Sequence, residues 1–391
     1  MATVDAVHRV AAPPSLERRP TSWRHVGGLD GLRALAVVAV LLFHGGYLQG
    51  GFLGVDLFFA LSGFLITSLL VRDADGAGIH LTAFWGRRFR RLLPALLALI
   101  AVVAAWVAAF GSPAELDSVR RDGPWALGYL ANWHAIAESG GYWQSFQQPS
   151  MFDHLWSLAI EEQFYLVWPI VLAVVWRWAP RPSRALVTTC IAGIVASLVT
   201  MVVLAGPGDP TRVYMGTDTR AASLLAGALA ATGPCRRLVA RLLARVDATV
   251  LVVGGGALVL WSWVAVDGAS SALLYRGGLA VHSGLCALVV AVVATTPGAT
   301  GARVLGCRPL AWIGVMSYGL YLWHWPVYVV LSPERTGLAG PPLLVLRLAV
   351  AVVFAVASYQ LVEDPVRRRA CLLYTSPSPR DLSTSRMPSS A

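Results

Sequence analysis

LDGLRALAVVAVLLFHGGYLQGGFLGVDLFFALSGFLITSLL, residues 29–70, decides how the rest of the chain is read. Two apolar runs, each about long enough to cross a bilayer, flank a turn containing Gly45, Gly46, Gly50 and Gly51. Both runs nevertheless carry ionisable groups. Asp30 and Arg33 sit at the start of the first, His44 near its end and Asp56 just inside the second. Charges in hydrocarbon cost a few kcal/mol unless they are paired or face a cavity. His44 and Asp56 lie at similar depth across the turn and are expected to pair.

Working outward, composition supports the same class. Of 391 residues, 56% are hydrophobic and 13% charged, and the mean hydropathy of +0.62 suits a polytopic membrane protein rather than a soluble one. The net charge of +10 does not point to nucleic acid. The basic residues are all Arg, and they fall in short clusters between apolar runs, the pattern that sets membrane orientation. Cys190, Cys235, Cys286, Cys307 and Cys371 lie far apart with no metal-ligand spacing, so neither a disulfide framework nor a zinc site is expected.

In chain order, residues 1–28 read as a polar cytoplasmic tail without signal-peptide order. Spans follow at about 29–44, 54–71, 92–110, 155–178, 185–205, 217–233, 248–266, 277–296, 309–331 and 342–362. The fold class is therefore an all-α integral membrane protein, a bundle of about ten transmembrane helices. The segment Arg72–Arg91 reads as a basic loop, and Gly111–Asp153, with Trp125, Trp133 and Trp143, as a partly re-entrant stretch. The run at 217–233 is near the lower length limit for a span. Counting it places the Arg clusters at 87–91, 177–184, 236–245, 303–308 and 367–369 on one side with both termini, as the positive-inside rule requires.

At about 1.5 Å per residue, this topology sorts the polar residues into two sets. His44, Asp56, Glu161, Glu162, Asp218, Arg220 and His324 fall in the outer half. Asp30, Arg33, Arg87, Arg88, Arg90 and Arg91 fall at the cytoplasmic side, with about 16 Å of helix between Arg33 and His44. Plain alternatives stand beside these. Asp30 and Arg33 at i,i+3 also fit a helix-end ion pair, RRFRR fits an orientation anchor or an anionic-lipid site, and His324 between two Trp residues fits an interfacial belt. Glu161 and Glu162 diverge by about 100° on a helix, so at most one faces the cavity centre. A histidine near an acid within a membrane favours a functional reading of His44.

Six stretches, LDGLRALAVVAVLLFH, GGFLGVDLFFALSGFLIT, FWGRRFRRLLP, WSLAIEEQFYLVWP, GTDTRAASLLAGALAA and SYGLYLWHWPV, followed by YQLVEDPVRR, resemble the membrane-bound acyltransferase 3 proteins over residues 29 to about 369. The resemblance implies transfer of an acyl group, usually acetyl from acetyl-CoA, to a glycan, lipid or secreted macrolide-like acceptor. It implies that His44 is the family's first-helix histidine and Arg33 its arginine, and that Arg87, Arg88, Arg90 and Arg91 form the basic segment linked to acyl-CoA. Ala222 stands where many members carry an acid. Many members also continue into an SGNH hydrolase-like domain; this chain is expected to be a stand-alone module.

The residues suit such chemistry directly. Acyl transfer needs a base for the hydroxyl, donors for the oxyanion and cations for the donor's phosphates. His44 is the candidate base, oriented by Asp56, Glu161 or Glu162. Arg33, Arg87, Arg88, Arg90 and Arg91 are candidate donor-binding residues, and Arg220 and His324 candidate substrate-binding residues. No permanently bound cofactor or metal is expected, and acyl-CoA serves as a substrate. Direct transfer and a covalent acyl-enzyme both remain open, and a flippase or non-catalytic partner is the alternative class. The expected location is a bacterial-type plasma membrane. Residues 370–391, turning Ser- and Pro-rich near Cys371, read as a disordered tail resembling translated read-through sequence.

Overall fold

The computed structural model describes residues 25–138, 149–206, 210–268 and 271–367. Nearly all of the N-terminal tail, Trp143 and the tail from 370 lie outside these. Among the described residues every regular element is helical. They are α1 (Gly27–His44), α2 (Gly54–Asp75), α3 (Leu81–Phe110), α4 (Pro113–Leu127), α5 (Ala131–Ala137), α6 (Leu155–Trp178), α7 (Pro182–Leu204), α8 (Thr211–Met215), α9 (Thr217–Ala230), α10 (Gly233–Leu243), α11 (Ala248–Ala265), α12 (Leu279–Thr295), α13 (Thr300–Leu305), α14 (Arg308–Val330), α15 (Pro333–Thr336), α16 (Gly340–Ser358) and α17 (Asp364–Arg367).

Eight of these, α1, α2, α3, α6, α7, α11, α12 and α16, some with flanking turns, are long and apolar enough to cross a membrane. The other two expected spans are α9 and α14, and both are interior helices. α9 has 14 residues, about 21 Å against a hydrocarbon core of about 30 Å. It is enclosed by α2, α7 and α12, with Thr219 and Arg220 fully buried. α14 has 23 residues but carries Ser317, Tyr318, Tyr321 and His324, and it packs between α1 and α16. An interior helix need not be apolar all round, because it meets protein rather than lipid.

Small residues bring the central helices together. A Cβ at Gly63 would lie 1.9 Å from the Leu224 carbonyl oxygen, and one at Gly227 2.0 Å from that of Ala60, so α2 and α9 touch backbone to backbone. The α1–α14 crossing is equally close, a Cβ at Gly314 falling 1.9 Å from the Asp30 carbonyl oxygen.

The basic run 87–91 lies within α3, a 30-residue helix, not in a loop. From Leu92 onward its buried residues Leu92, Ala95, Leu96, Leu99, Val103 and Val107 follow helical spacing. Phe84 is the next buried residue back, eight positions earlier, with Arg88 four residues from each on the same side of the helix. Between α3 and α6 the chain forms α4 and α5, neither long enough to span. α4 begins with a capping box between Ser112 and Glu115, and Tyr129, at φ 55°, turns the chain toward α5.

Candidate active site

A cleft of about 680 Å³, including its open mouth, lies between α1, α2, α3, α6 and α14. Arg33, Arg88 and Arg91 line it together with Ser62, Glu161 and Tyr165, and it extends past Phe58 to Ser157 and Tyr321. The Arg88 guanidinium stacks 5.0 Å from the Tyr165 ring centroid. The Tyr165 hydroxyl donates to Ser62 at 2.9 Å, and the Ser62 hydroxyl donates to Glu161. Arg33 lines the cleft while lying 3.6 Å from Asp30, so the helix-end ion pair and the cleft position coexist. Arg87 does not line the cleft; it is half exposed and lies 3.8 Å from Asp73. Arg90 does not line it either.

At the deep end three histidines converge. His44, at the last position of α1, places Nδ1 2.9 Å from His324 Nε2, with the two rings stacked at 5.1 Å. His324 Nδ1 lies 2.7 Å from the Tyr321 carbonyl and 3.2 Å from that of Leu320. A carbonyl only accepts, so His324 carries its proton on Nδ1. In the neutral ring Nε2 is then an acceptor, so His44 donates to it from Nδ1, and the unprotonated nitrogen of His44 is Nε2. Two backbone carbonyls thus dictate, through His324, which His44 nitrogen is basic.

His154, just before α6, is the third member, its ring 5.5 Å from that of His324. Pro326 lacks an N–H and so leaves the Leu322 carbonyl without its helical partner; His154 Nε2 donates to that carbonyl at 3.0 Å. Pro169 does the same in α6, freeing the Tyr165 carbonyl to accept from Trp85 at 3.1 Å. The histidines do not line the cleft themselves. Tyr321 joins the two: it lines the cleft, donates to the His154 carbonyl at 2.8 Å, contacts the Ser157 hydroxyl at 2.5 Å, and its ring lies 5.4 Å from that of His324, tilted by 50°.

Several sequence expectations are corrected. Asp56 does not pair with His44. It faces α9 and α12, bonded to Arg220 at 3.0 Å and to Ser223 and Ser283 at 2.8 and 3.0 Å. The turn at Gly51–Leu53 starts α2 so that its first-turn acid points away from α14. Arg220 is fully buried between the Phe59 and Tyr214 rings and paired with Asp56. His324 is likewise fully buried behind His44. Glu161 belongs with the arginines of the cleft rather than with the histidines. Glu162, about 100° around the helix, is buried with Oε1 unpartnered. His154, Ser62, Tyr165 and Tyr321 escaped sequence reasoning. A third histidine beside an acid-bearing helix, together with a Trp-Pro turn in α14, was the available signal for His154.

Asp122, His134 and Glu138 bring one ligand atom each within 4.8 Å of one another. Arg121 bonds both carboxylates, at 3.0 and 3.2 Å, so an ion-pair network accounts for their convergence. Cys190, Cys235, Cys286 and Cys307 are free thiols.

An acyltransferase-domain profile matches residues 26–360. The chain is 39% identical to the peptidoglycan O-acetyltransferase OatA of Listeria monocytogenes over 362 residues, covering 90% of this chain and 57% of the relative. It is 41% identical to the putative peptidoglycan O-acetyltransferase YrhL of Bacillus subtilis, with coverage of 88% and 55%. It is 36% identical to the O-acetyltransferase OatA of Staphylococcus aureus strain NCTC 8325, with coverage of 88% and 58%. The chain thus spans a little over half the length of these relatives, and no solved structure matches it. A profile match over most of the chain, on the segments that build the arginine cleft and the histidine cluster, places this protein in the acyltransferase 3 family.

Proposed function

We propose that this chain is a membrane O-acyltransferase that moves an acyl group, acetyl in the first instance, from cytoplasmic acyl-CoA to a hydroxyl of a cell-envelope glycan. The carrying observation is the alignment, in one bundle, of a cation-lined cleft whose deep end reaches Tyr321 with a histidine pair one ring beyond. The CoA phosphates sit at Arg33, Arg88 and Arg91, since a highly charged head group does not cross hydrocarbon. The about 16 Å of α1 between Arg33 and His44 matches the reach of an extended pantetheine arm. His44 Nε2 takes the acceptor's hydroxyl proton as the oxygen forms its bond to the thioester carbon. Collapse of the tetrahedral species breaks the carbon–sulfur bond, and the proton passes from His44 to the leaving thiolate. The products are the ester and free CoA. The relatives' names as peptidoglycan O-acetyltransferases support a glycan acceptor.

Sidedness tests this reading. In sealed right-side-out vesicles, lumenal acetyl-CoA supports acylation of an external acceptor, and His44→Ala lowers the rate by about 10²- to 10⁴-fold at unchanged abundance. Efficient transfer with acetyl-CoA only outside, or near-normal acylation by His44→Ala, overturns it.

A further inference from the structure

α10 (Gly233–Leu243) carries a second basic surface, apart from the cleft. It joins the end of α9 to the start of α11 and packs on α7, α9 and α12. This is the end of the bundle where Arg33 also lies, because α13 touches the starts of both α11 and α1. A Cβ at Gly301 would lie 2.9 Å from Val252, and one at Gly28 2.9 Å from the Ala302 carbonyl oxygen.

At about 100° per residue, α10 has three sides. Val239 is buried, and Leu243 packs beside it on the main core. Arg237 and Arg241, one turn apart, stand on the opposite side with Arg245 in the closing turn, and all three are exposed. Leu238 and Leu242 occupy the flank between the arginine row and the buried face, and Leu238 is 64% exposed.

These arginines have no acidic partner within the fold. The chain holds no Asp or Glu between Asp218 and Asp247. Asp218 is held by Arg212, and Asp247 accepts from the Thr249 and Val250 N–H groups at the start of α11. Among the described residues none of Arg236, Arg237, Arg241 and Arg245 makes an ion pair. Like charges at i,i+4 repel. Arg236 and Arg237 also lie near the helix N-terminus, where the backbone dipole disfavours a cation, and the first turn holds no acid to offset them. An orientation signal requires arginines on one side of the membrane, but it requires neither a single row nor a leucine flank beside it. A row of unpaired cations next to exposed leucine is complementary to an anionic bilayer surface, which offers phosphates to the guanidinium groups and acyl chains to the leucines. A soluble anion would satisfy the arginines and leave Leu238 in water. We infer that α10 is an interfacial helix that binds the headgroups of anionic phospholipids through Arg237, Arg241 and Arg245, with Leu238 and Leu242 at the acyl boundary. The assignment does not depend on the acyl-transfer reading.

The test uses the full chain in nanodiscs of equal parts phosphatidylcholine and phosphatidylglycerol, with Leu238 replaced by the photo-crosslinker p-benzoylphenylalanine. Adduct mass identifies the lipid. Phosphatidylglycerol adducts should exceed phosphatidylcholine adducts by at least about fivefold, the enrichment that one arginine provides at an anionic surface. Arg237→Gln, Arg241→Gln and Arg245→Gln together should bring the two lipids to parity, whereas Lys at all three positions, which keeps the charge, should retain most of the preference. Inorganic phosphate, added at constant ionic strength, should leave the ratio unchanged. Equal adducts of both lipids before any arginine is replaced would overturn the proposal, as would a ratio insensitive to the three Gln substitutions. Loss of the preference on adding phosphate would also overturn it by assigning the row to a soluble anion, and absence of any lipid adduct would do so by placing Leu238 in water.

Discussion

His324 offers the sharpest test of the site because it touches His44 alone of the proposed reacting groups. Its Nδ1–H is anchored 2.7 Å from the Tyr321 carbonyl, which obliges Nε2, 2.9 Å from His44, to accept. Leucine at this position removes the acceptor, so the His44 Nδ1–H loses its partner and the basic nitrogen is no longer specified. Loss of a buried hydrogen bond is worth about 1–3 kcal/mol, which corresponds to a fall in kcat of about 5- to 150-fold. Glutamine offers a side-chain oxygen in place of Nε2 and is expected to restore most of that loss. The assay is steady-state transfer from acetyl-CoA in proteoliposomes, with kcat and KM determined separately. His324→Leu should lower kcat and leave the acetyl-CoA KM within about twofold. Equal losses in His324→Leu and His324→Gln, or a loss carried by KM, would refute the orientation argument and leave His324 a packing residue.

The cleft separates arginines that the sequence treats alike. Arg88→Gln should raise the acetyl-CoA KM about tenfold, whereas Arg87→Gln, which removes an exposed contact to Asp73, should change it by less than about twofold. For the buried Asp56–Arg220 pair, Asp56→Asn leaves an uncompensated guanidinium and should cost about 3–5 kcal/mol, seen as lost abundance and a lower thermal midpoint. Asp56→Leu combined with Arg220→Met should recover most of it. Outside the membrane spans, burial raises the Asp153 carboxyl from about 3.8 to about 7, with nearby Asp122 adding to the shift. Between those two values the folded state holds a proton that the unfolded chain has released. Its stability therefore declines as pH rises from 4 to 7 and is level above. Asp153→Asn should raise the thermal midpoint at pH 8 and leave it unchanged at pH 3; an equal shift at both would contradict the assignment.

The arginine cleft and the position of His44 were legible because helix rise converts residue number into depth. Arg33 and His44 must lie about 16 Å apart on one helix whatever surrounds them. The boundary of α3 was less legible. Charge density suggested a loop at 87–91, yet the helix runs through it, with Arg88 standing on the cleft side between Phe84 and Leu92.

Depth and periodicity, properties of a single helix, are what the chain of residues determined by itself: an all-α membrane protein, cations near one end and a histidine near the other. Partner choice was decided only by the tertiary structure, because it depends on helix rotation and on which helices become neighbours. Asp56 and His44 share a depth, but α2 turns its acid toward Arg220 on the enclosed α9. His44 instead meets His324 on α14, where close approach of glycine and backbone at Gly314 draws the two helices together. The carbonyl that holds His154 is free only because Pro326 stands one turn along, and no spacing in the sequence links those residues across 172 positions. Local geometry set how deep each group lies; packing of the bundle set what each one faces.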